Sequence, residues 1–123
     1  MSASILVVED QIDNRQILRD LLGNAGYQLV EAGNGEEALA AVAKQRFDLI
    51  LMDIQLPVMD GYEATRQIRA FPDLKSIPII AVTSYALAGD EAKALAAGCD
   101  DYITKPYSPR ALLAKVREFL PQA

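Results

Sequence analysis

The sequence has 123 residues, 51% of them hydrophobic, and a formal net charge of -5. This is typical of one globular domain with a single core, so we expect one domain over residues 1–123. The negative charge argues against nucleic-acid binding, and the absence of histidine excludes Ser-His-Asp and Cys-His catalysis and imidazole metal ligands. No apolar run approaches the roughly 20 residues of a membrane span and no signal peptide is recognisable, which predicts a soluble, cytoplasmic protein without membrane contacts.

The first predicted strand covers residues 5–8, four consecutive apolar residues followed by Glu9 and Asp10. A run this short, bounded by polar residues, is typical of a strand buried on both faces. A helix is predicted over about residues 12–25, with Gly26 as its stop. Its inward face is predicted from apolar residues at helical spacing, which are Ile17, Leu18, Leu21 and Leu22.

Residues 27–32 predict a short, partly polar strand that suits the edge of a sheet. Asn34 and Glu37 resemble a capping box at the start of a second helix. Its inward face is predicted to be Ala38, Leu39, Val42 and Ala43. Residues 49–52 are again consecutive and apolar, which predicts a central buried strand. Asp53 follows at once, so its carboxylate lies where open α/β sheets place their chemistry.

A third helix is predicted to start at Asp60, which pairs with Glu63 as a cap, and to run to about Ala70. It carries Tyr62, Thr65, Ile68 and Arg69. A fourth apolar strand is predicted over residues 77–82, with a proline near its start, where a missing N-H is least harmful. This strand ends at Thr83.

An alanine-rich segment over about residues 87–97 predicts a fourth helix, stopped at Gly98. Residues 102–104 predict a short last strand, with Lys105 at its end. Ser108, followed by a proline, gives the N-cap and first turn of a fifth helix that ends at a second proline. The inward residues of this helix are predicted to be Leu112, Leu113, Val116, Phe119 and Leu120.

Five strands therefore alternate with five helices, which predicts a doubly wound α/β fold with a parallel sheet covered on both faces. Four of the strands then end in polar groups at the same edge of the sheet. Each such group alone is more often a helix cap or a solvated loop residue, but four of them after different strands indicate one site. These groups are Glu9 with Asp10, Asp53, Thr83 and Lys105.

The chemistry of these groups suits phosphoryl transfer. Three carboxylates at one edge repel one another unless a hard divalent cation neutralises them, and Mg2+ suits carboxylates with a carbonyl and waters. Asp53 would then be shielded yet able to act as an oxygen nucleophile and form an acyl phosphate. Lys105 and the Thr83 hydroxyl would bind phosphoryl oxygens, and positioning with charge neutralisation would make a protein base unnecessary.

This order of residues, with Pro106 after Lys105, resembles the CheY-like receiver domain of two-component response regulators over essentially the whole chain. The resemblance implies a flavodoxin-like sheet with strand order 2-1-3-4-5. It implies a single-domain receiver of the phosphorelay type, either free-standing or excised from a longer protein. Such a domain is a signalling phosphoacceptor that catalyses its own phosphotransfer and dephosphorylation, rather than an enzyme with a separate substrate. Its phosphodonor would be a sensor histidine kinase or a histidine phosphotransfer protein.

The resemblance also implies roles for single residues. Asp53 would be the phosphoacceptor, Lys105 would bind the phosphate, and Thr83 with Tyr102 would form the switch pair. A downstream protein target would bind through the fourth helix, the fifth strand and the fifth helix. The Lys105-Pro106 bond is expected to be cis. The implied Mg2+ ligands are Asp10, Asp53, the backbone carbonyl of Gln55 and, through water, Glu9.

Two departures from the receiver pattern lie beside the switch threonine. Ser84 stands where a small residue such as alanine is usual, and Tyr85 is bulky. Both would flank the phosphate, so they bear on the lifetime of the phosphorylated state.

Three other interpretations belong to different classes of protein. Residues 33–38, GNGEEA, fit a dinucleotide-binding pattern, but Glu36 and Glu37 would repel a pyrophosphate at that helix start. An aspartyl-phosphate phosphatase would share the strand-end aspartate and Mg2+, yet it normally carries a second aspartate where this chain has Gln55. A pseudo-receiver used only for binding would not need its carboxylates.

The single cysteine, Cys99, is expected to be a buried part of the core rather than a redox thiol.

Overall fold

The structure, a computed structural model, describes residues 3–83 and 90–120. Five parallel strands form one sheet in the order β2-β1-β3-β4-β5, as the resemblance implied. The strands are β1 (Ser4–Val8), β2 (Gln28–Ala32), β3 (Leu49–Asp53), β4 (Ile79–Thr83) and β5 (Asp101–Thr104). The helices are α1 (Ile12–Asn24), α2 (Gly35–Lys44), α3 (Gly61–Ala70), α4 (Asp90–Ala97) and α5 (Pro109–Phe119), with a short 3-10 helix at Pro72–Leu74.

Helices cover both faces of the sheet because the three inner strands are apolar on both sides. Along β3, Leu49 and Leu51 pack toward α1 and α5, while Ile50 and Met52 pack toward α2, α3 and α4. All five residues of β3 are buried, which confirms the prediction of a central strand. Among the described residues, no helix has the length and apolar character needed to cross a membrane.

The predicted inward faces of the first two helices are partly wrong. Leu18 and Leu22 are buried against the sheet, but Ile17 is 54% exposed and Ala43 is exposed as well. Successive residues of a helix are about 100° apart, so only one side of each helix can face the sheet. Ile17, next to Leu18, is turned toward solvent.

Strand boundaries differ from the predicted ones for a local reason in each case. The ladder of β4 begins at Ile79 rather than at residue 77, because Pro78 has no N-H and contributes only its carbonyl, which accepts from the Ile50 amide. Tyr27 precedes β2 because its amide donates to the Leu22 carbonyl and closes the end of α1. The predicted start of the fourth helix, residues 87–89, lies outside the described residues, as does the proline expected after the fifth.

The predicted N-cap residues are confirmed, but the Glu37 carboxylate accepts from Gly33 rather than Asn34, and the Glu63 carboxylate accepts from Arg66 and Gln67. Side-chain oxygens of Asn34, Asp60 and Ser108 each accept from the backbone N-H three residues on, at 2.8, 2.9 and 3.0 Å. Gly26 and Gly98, the two predicted helix stops, have positive φ values of 97° and 112°. The Lys105-Pro106 bond is cis, as expected.

Cys99 is a buried part of the core, so we expect its thiol to react slowly. Burial raises the pKa of the Cys99 thiol, and this effect outweighs the hydrogen bond with Thr65, whose Oγ1 lies 3.7 Å from the sulfur. A raised pKa lowers the thiolate fraction available for alkylation. Iodoacetamide labelling followed by mass spectrometry should therefore be far slower in the native protein than in the same protein unfolded in urea. Equal labelling rates in the two states would contradict this prediction.

Candidate functional site

The predicted polar groups meet at the carboxyl edge of the sheet. Glu9 follows β1 and Asp53 ends β3, and these side chains are buried, with exposed fractions of 2% and 4%. Because β1 and β3 are neighbours in the sheet, their ends lie side by side. Asp10, the next residue after Glu9, is partly exposed. Three carboxylates on adjacent strand ends thus share one site, as the sequence predicted.

These carboxylates can converge on one cation. One oxygen each of Glu9, Asp10 and Asp53 lies within 4.8 Å of the others, and no further group of this kind occurs in the part of the chain that the structure describes. Carboxylate oxygens are the ligands that Mg2+ prefers, so the residues present fit this ion. The predicted fourth ligand, the carbonyl of Gln55, belongs to the loop that follows directly from Asp53.

Lys105 places its ammonium group among these carboxylates. Its Nζ donates to Glu9 Oε1 at 2.8 Å and to Asp53 Oδ2 at 3.0 Å. Burial by itself lowers the pKa of Lys105, but the two hydrogen bonds and the two negative charges outweigh burial and raise it. The side chain therefore stays protonated and positively charged at neutral pH. With all four groups ionised, the site keeps two net negative charges, which one divalent cation would neutralise.

The loop between β3 and α3 holds Asp53 from the other side. Asp53 Oδ1 accepts from the Gln55 amide at 2.9 Å, so each carboxylate oxygen has a donor. Gly61, the first residue of α3, donates its amide to the Ile54 carbonyl at 2.9 Å. A Cβ at Gly61 would overlap the Asp53 carbonyl oxygen, so only glycine permits this close approach. Val58 has a φ of 69°, which is unusual for a β-branched residue.

The predicted switch residues lie on the two strands beyond β3. Thr83 is the last residue of β4 and 5% exposed, and its carbonyl accepts from the Lys105 amide at 2.7 Å. Tyr102 is partly buried and pairs with Ala81, so it lies farther from the carboxyl edge than Thr83. Its ring packs on the sheet face covered by α2, α3 and α4. The two departures noted after Thr83, residues 84 and 85, lie outside the described residues.

The dinucleotide interpretation fails on the geometry of α2. Glu37 Oε1 accepts from the Gly33 amide at 2.7 Å, and Asn34 caps the same helix start. The protein's own side-chain oxygens therefore already accept from two of the amides, those of Gly33 and Glu37, that a pyrophosphate at this helix start would use.

Some features of the site were not predicted. The sequence indicated neither the ion pair between Glu9 and Lys105 nor the close approach of Gly61 to Asp53. The first depends on residues 96 positions apart in the chain. A signal for the second was present in the glycine directly after the capping residue Asp60, because glycine is unfavourable inside a helix unless something requires it.

The sequence matches the response regulator receiver domain family over residues 5–117. The chain belongs to this family. It is similar to the polar-differentiation response regulator DivK of Brucella anthropi, with 41% identity over 123 residues and full coverage of both chains. The receiver interpretation of the sequence is thereby confirmed, together with its place in two-component signalling. Receiver domains bind Mg2+ at an acidic pocket, and the three carboxylates form such a pocket here.

Two solved structures are similar in both fold and sequence. One is the receiver domain of the sensor histidine kinase PA1611 from Pseudomonas aeruginosa PAO1, with a magnesium ion coordinated in its active-site cleft. It has a TM-score of 0.90 and 39% identity, and the match covers 97% of this chain and 98% of that chain. The other is the receiver domain of the Saccharomyces cerevisiae response regulator Ssk1, in complex with the histidine phosphotransfer protein Ypd1. It has a TM-score of 0.89 and 36% identity, with coverages of 96% and 88%.

Metal binding should change the stability of the protein through these carboxylates. Mg2+ at about 100 times its dissociation constant should add about 2.7 kcal/mol to the free energy of unfolding. Asp10→Asn removes one repelling charge and one predicted ligand, so it should raise the metal-free melting temperature and abolish the Mg2+ increment. Thermal unfolding with and without Mg2+ measures both effects. Asp20→Asn, an exposed position on α1, is the matched control and should keep the increment. A full increment in Asp10→Asn would place the metal elsewhere.

Proposed function

We propose that this receiver domain, formed by residues 1–123, accepts a phosphoryl group on Asp53 in a Mg2+-dependent reaction. Its donor is a sensor histidine kinase or a histidine phosphotransfer protein, and the proposed compartment is the cytoplasm. The observation that carries this proposal is the buried Asp53 carboxylate, bonded to Lys105 and next to two further carboxylates. The magnesium described for the PA1611 receiver and the Ypd1–Ssk1 complex support the same cofactor and class of partner.

The proposed reaction transfers the phosphoryl group from a donor imidazole nitrogen to a carboxylate oxygen. The Asp53 oxygen forms the new P-O bond, while the P-N bond breaks and its electron pair returns to the imidazole. Lys105 keeps its proton, and its ammonium group offers positive charge to the phosphoryl oxygens. The Gln55 amide holds the carboxylate in place through Oδ1. Positioning and charge supply most of the catalysis in such a step, which explains why no protein base is needed.

The charges of the site account for the proposed dependence on metal. Lys105 compensates one of the three carboxylates, so an incoming phosphoryl group would meet two uncompensated negative charges. Negative charges gathered in one partly buried site repel one another strongly, because the effective dielectric constant there is lower than in water. Asp10, Asp53 and the Gln55 carbonyl would hold Mg2+ directly and Glu9 would hold it through water, and the bound ion would supply positive charge to the carboxylate and phosphoryl oxygens.

A groove beside Lys105 offers the proposed phosphodonor a path to the site. It has a volume of about 540 Å³ and is lined by Asn14 and Ile17 of α1 and by residues 105–107. Ile17, whose exposure was not predicted, therefore presents an apolar surface where a partner would dock. Tyr107, two residues after Lys105, also lines the groove. We propose that the donor's histidine reaches Asp53 by way of this groove.

The proposed output surface is formed by α4, β5 and α5. Phosphorylation would draw the Thr83 hydroxyl toward the new phosphoryl oxygens and let Tyr102 rotate inward. The described part of α4 buries only small side chains, Ala94 and Ala97, while Leu95 is 52% exposed. This weak packing gives α4 a low free energy of local opening, which suits it to change on phosphorylation.

Replacing the proposed nucleophile should abolish modification. Acetyl phosphate with Mg2+ should add one phosphoryl group to the wild-type protein, and Asp53→Asn should remove this addition because an amide oxygen is a poor nucleophile. Intact-mass spectrometry measures the adduct, and circular dichroism checks that the variant is folded. Asp48→Asn, an exposed position before β3, is the matched control and should be modified like the wild type. Full modification of Asp53→Asn would refute the assignment.

Phosphorylation should also alter the proposed output surface. We expect hydrogen exchange to change from about Thr83 to Tyr102 and in α5. The phosphoryl group would draw the Thr83 hydroxyl toward it, and Tyr102 would rotate into the space that Thr83 leaves. Mass spectrometry of peptides from the phosphorylated and unmodified protein measures this change. A change confined to the loop around Asp53 would contradict the proposed output.

A further inference from the structure

The guanidinium group of Arg69 joins four segments of the chain at the amino edge of the sheet, opposite the phosphorylation site. Arg69 lies near the end of α3 and is only 16% exposed. Its Nε donates to the Gly98 carbonyl at 2.9 Å, and its Nη1 donates to the carbonyls of Leu74 and Ile77 at 2.9 and 2.6 Å. Its Nη2 donates to Asp100 Oδ2 at 2.8 Å. One side chain thus binds α3, the 3-10 helix, the approach to β4 and the turn from α4 to β5.

Asp100 extends this connection into the sheet. The same Oδ2 that receives Arg69 also accepts from the Ile79 amide at 2.9 Å. In return, the Asp100 amide donates to the Ile79 carbonyl at 2.8 Å. The first residue of β4 is therefore locked to the residue that precedes β5. A carboxylate shared by a guanidinium and a backbone amide forms charge-assisted hydrogen bonds, which are stronger than neutral ones.

The carboxyl end of α4 is held at the same point. The Gly98 amide donates to Leu95 and the Cys99 amide to Ala94, which closes the last turn of the helix. Gly98 has a φ of 112°, and a Cβ there would lie 2.9 Å from Arg69 Cγ. The end of α4 is thus fitted against the stem of Arg69. We call Arg69, Gly98 and Asp100, with their hydrogen bonds, the Arg69 anchor.

We propose that Arg69 is a positioning residue that fixes the carboxyl end of α4 and the start of β5, so that phosphorylation moves α4 about this fixed end. The proposal rests on the proposed function. Its geometry follows from the topology, because the chain leaves β4 at Thr83, on the edge that carries Asp53, and α4 returns it to the opposite edge at Gly98. In this proposal the amino-terminal end of α4, which lies toward the phosphorylation site, is the end that moves. Residues 98–100 then stay fixed, although they lie within the span from about Thr83 to Tyr102 that is expected to respond to phosphorylation.

Only a guanidinium group can serve all of these acceptors. Lysine would bring a charge but no planar fork, and it could not reach three carbonyls and a carboxylate at once. Loss of Arg69 removes its hydrogen bonds to the carbonyls of Gly98, Leu74 and Ile77 and leaves Asp100 with only the Ile79 amide, which frees the turn that links α4 to β5. Phosphorylation would then displace α4 and β5 together rather than tilting α4 about one end.

Hydrogen exchange with amide resolution tests the Arg69 anchor in the full chain. In the wild type, phosphorylation with acetyl phosphate and Mg2+ should change exchange in the amino-terminal part of α4. It should leave the Ile79 amide unchanged, and the Asp100 amide should be an unchanged exception within the responsive span from about Thr83 to Tyr102. In Arg69→Gln, phosphorylation should speed exchange at these two amides by about tenfold or more, because the response is no longer confined. Arg69→Lys should behave like Arg69→Gln.

Arg66→Gln is the matched control, since Arg66 is on the same helix but 54% exposed and, among the described residues, paired only with Glu63. It should respond like the wild type. If Arg69→Gln fails to fold, Asp100→Asn is used as the test variant instead. The asparagine side-chain oxygen can still accept from the Ile79 amide, while the charge pair with Arg69 is lost. The proposal is overturned if phosphorylation alters the Ile79 and Asp100 amides in the wild type, or if the anchor variants respond like Arg66→Gln. Absence of the phosphoryl adduct in the wild type is a different result, since it refutes the proposed function and the proposal with it.

Discussion

The site depends on the ion pairs of Lys105, whose ammonium group lies between the buried carboxylates of Glu9 and Asp53 and donates a hydrogen bond to each. An unpaired carboxylate in a buried position is costly, and two adjacent ones add repulsion to that cost. Lys105 reaches them only because β5 lies beside β4, where its own amide bonds to Thr83. The position of the edge strand therefore determines whether the carboxylates of the central strands are compensated.

Much of the fold could be predicted because its signals are local. Short runs of consecutive apolar residues identify inner strands of a parallel sheet, and Asn34, Asp60 and Ser108 each cap the helix they precede. The polar groups at the strand ends could also be placed together, since parallel strands bring their carboxyl ends to one edge. The strand order required more than this pattern, and it came from the resemblance to receiver domains.

The features that could not be predicted depend on tertiary partners. Arg69 was assigned only to the third helix, because nothing near it in the chain shows that its acceptors include Gly98 and Asp100, 29 and 31 positions away. The exposure of Ile17 could not be predicted for a related reason. An apolar residue at helical spacing is normally part of the core, and only the arrangement of α1 on the sheet shows which side is left in solvent.

The contact between Gly61 and the Asp53 carbonyl constrains how proteins built on this architecture can diverge. The backbone must leave β3 and return to that contact within a fixed number of residues, so insertions and deletions in this loop should be rare. Its side chains are under less restraint, since Gln55, Pro57 and Val58 are exposed. Variation at constant length would let related receivers acquire different partners, or different lifetimes of the modified state, while the reacting groups keep their positions. This short segment is therefore a natural place to alter signalling properties by design without rebuilding the phosphorylation site.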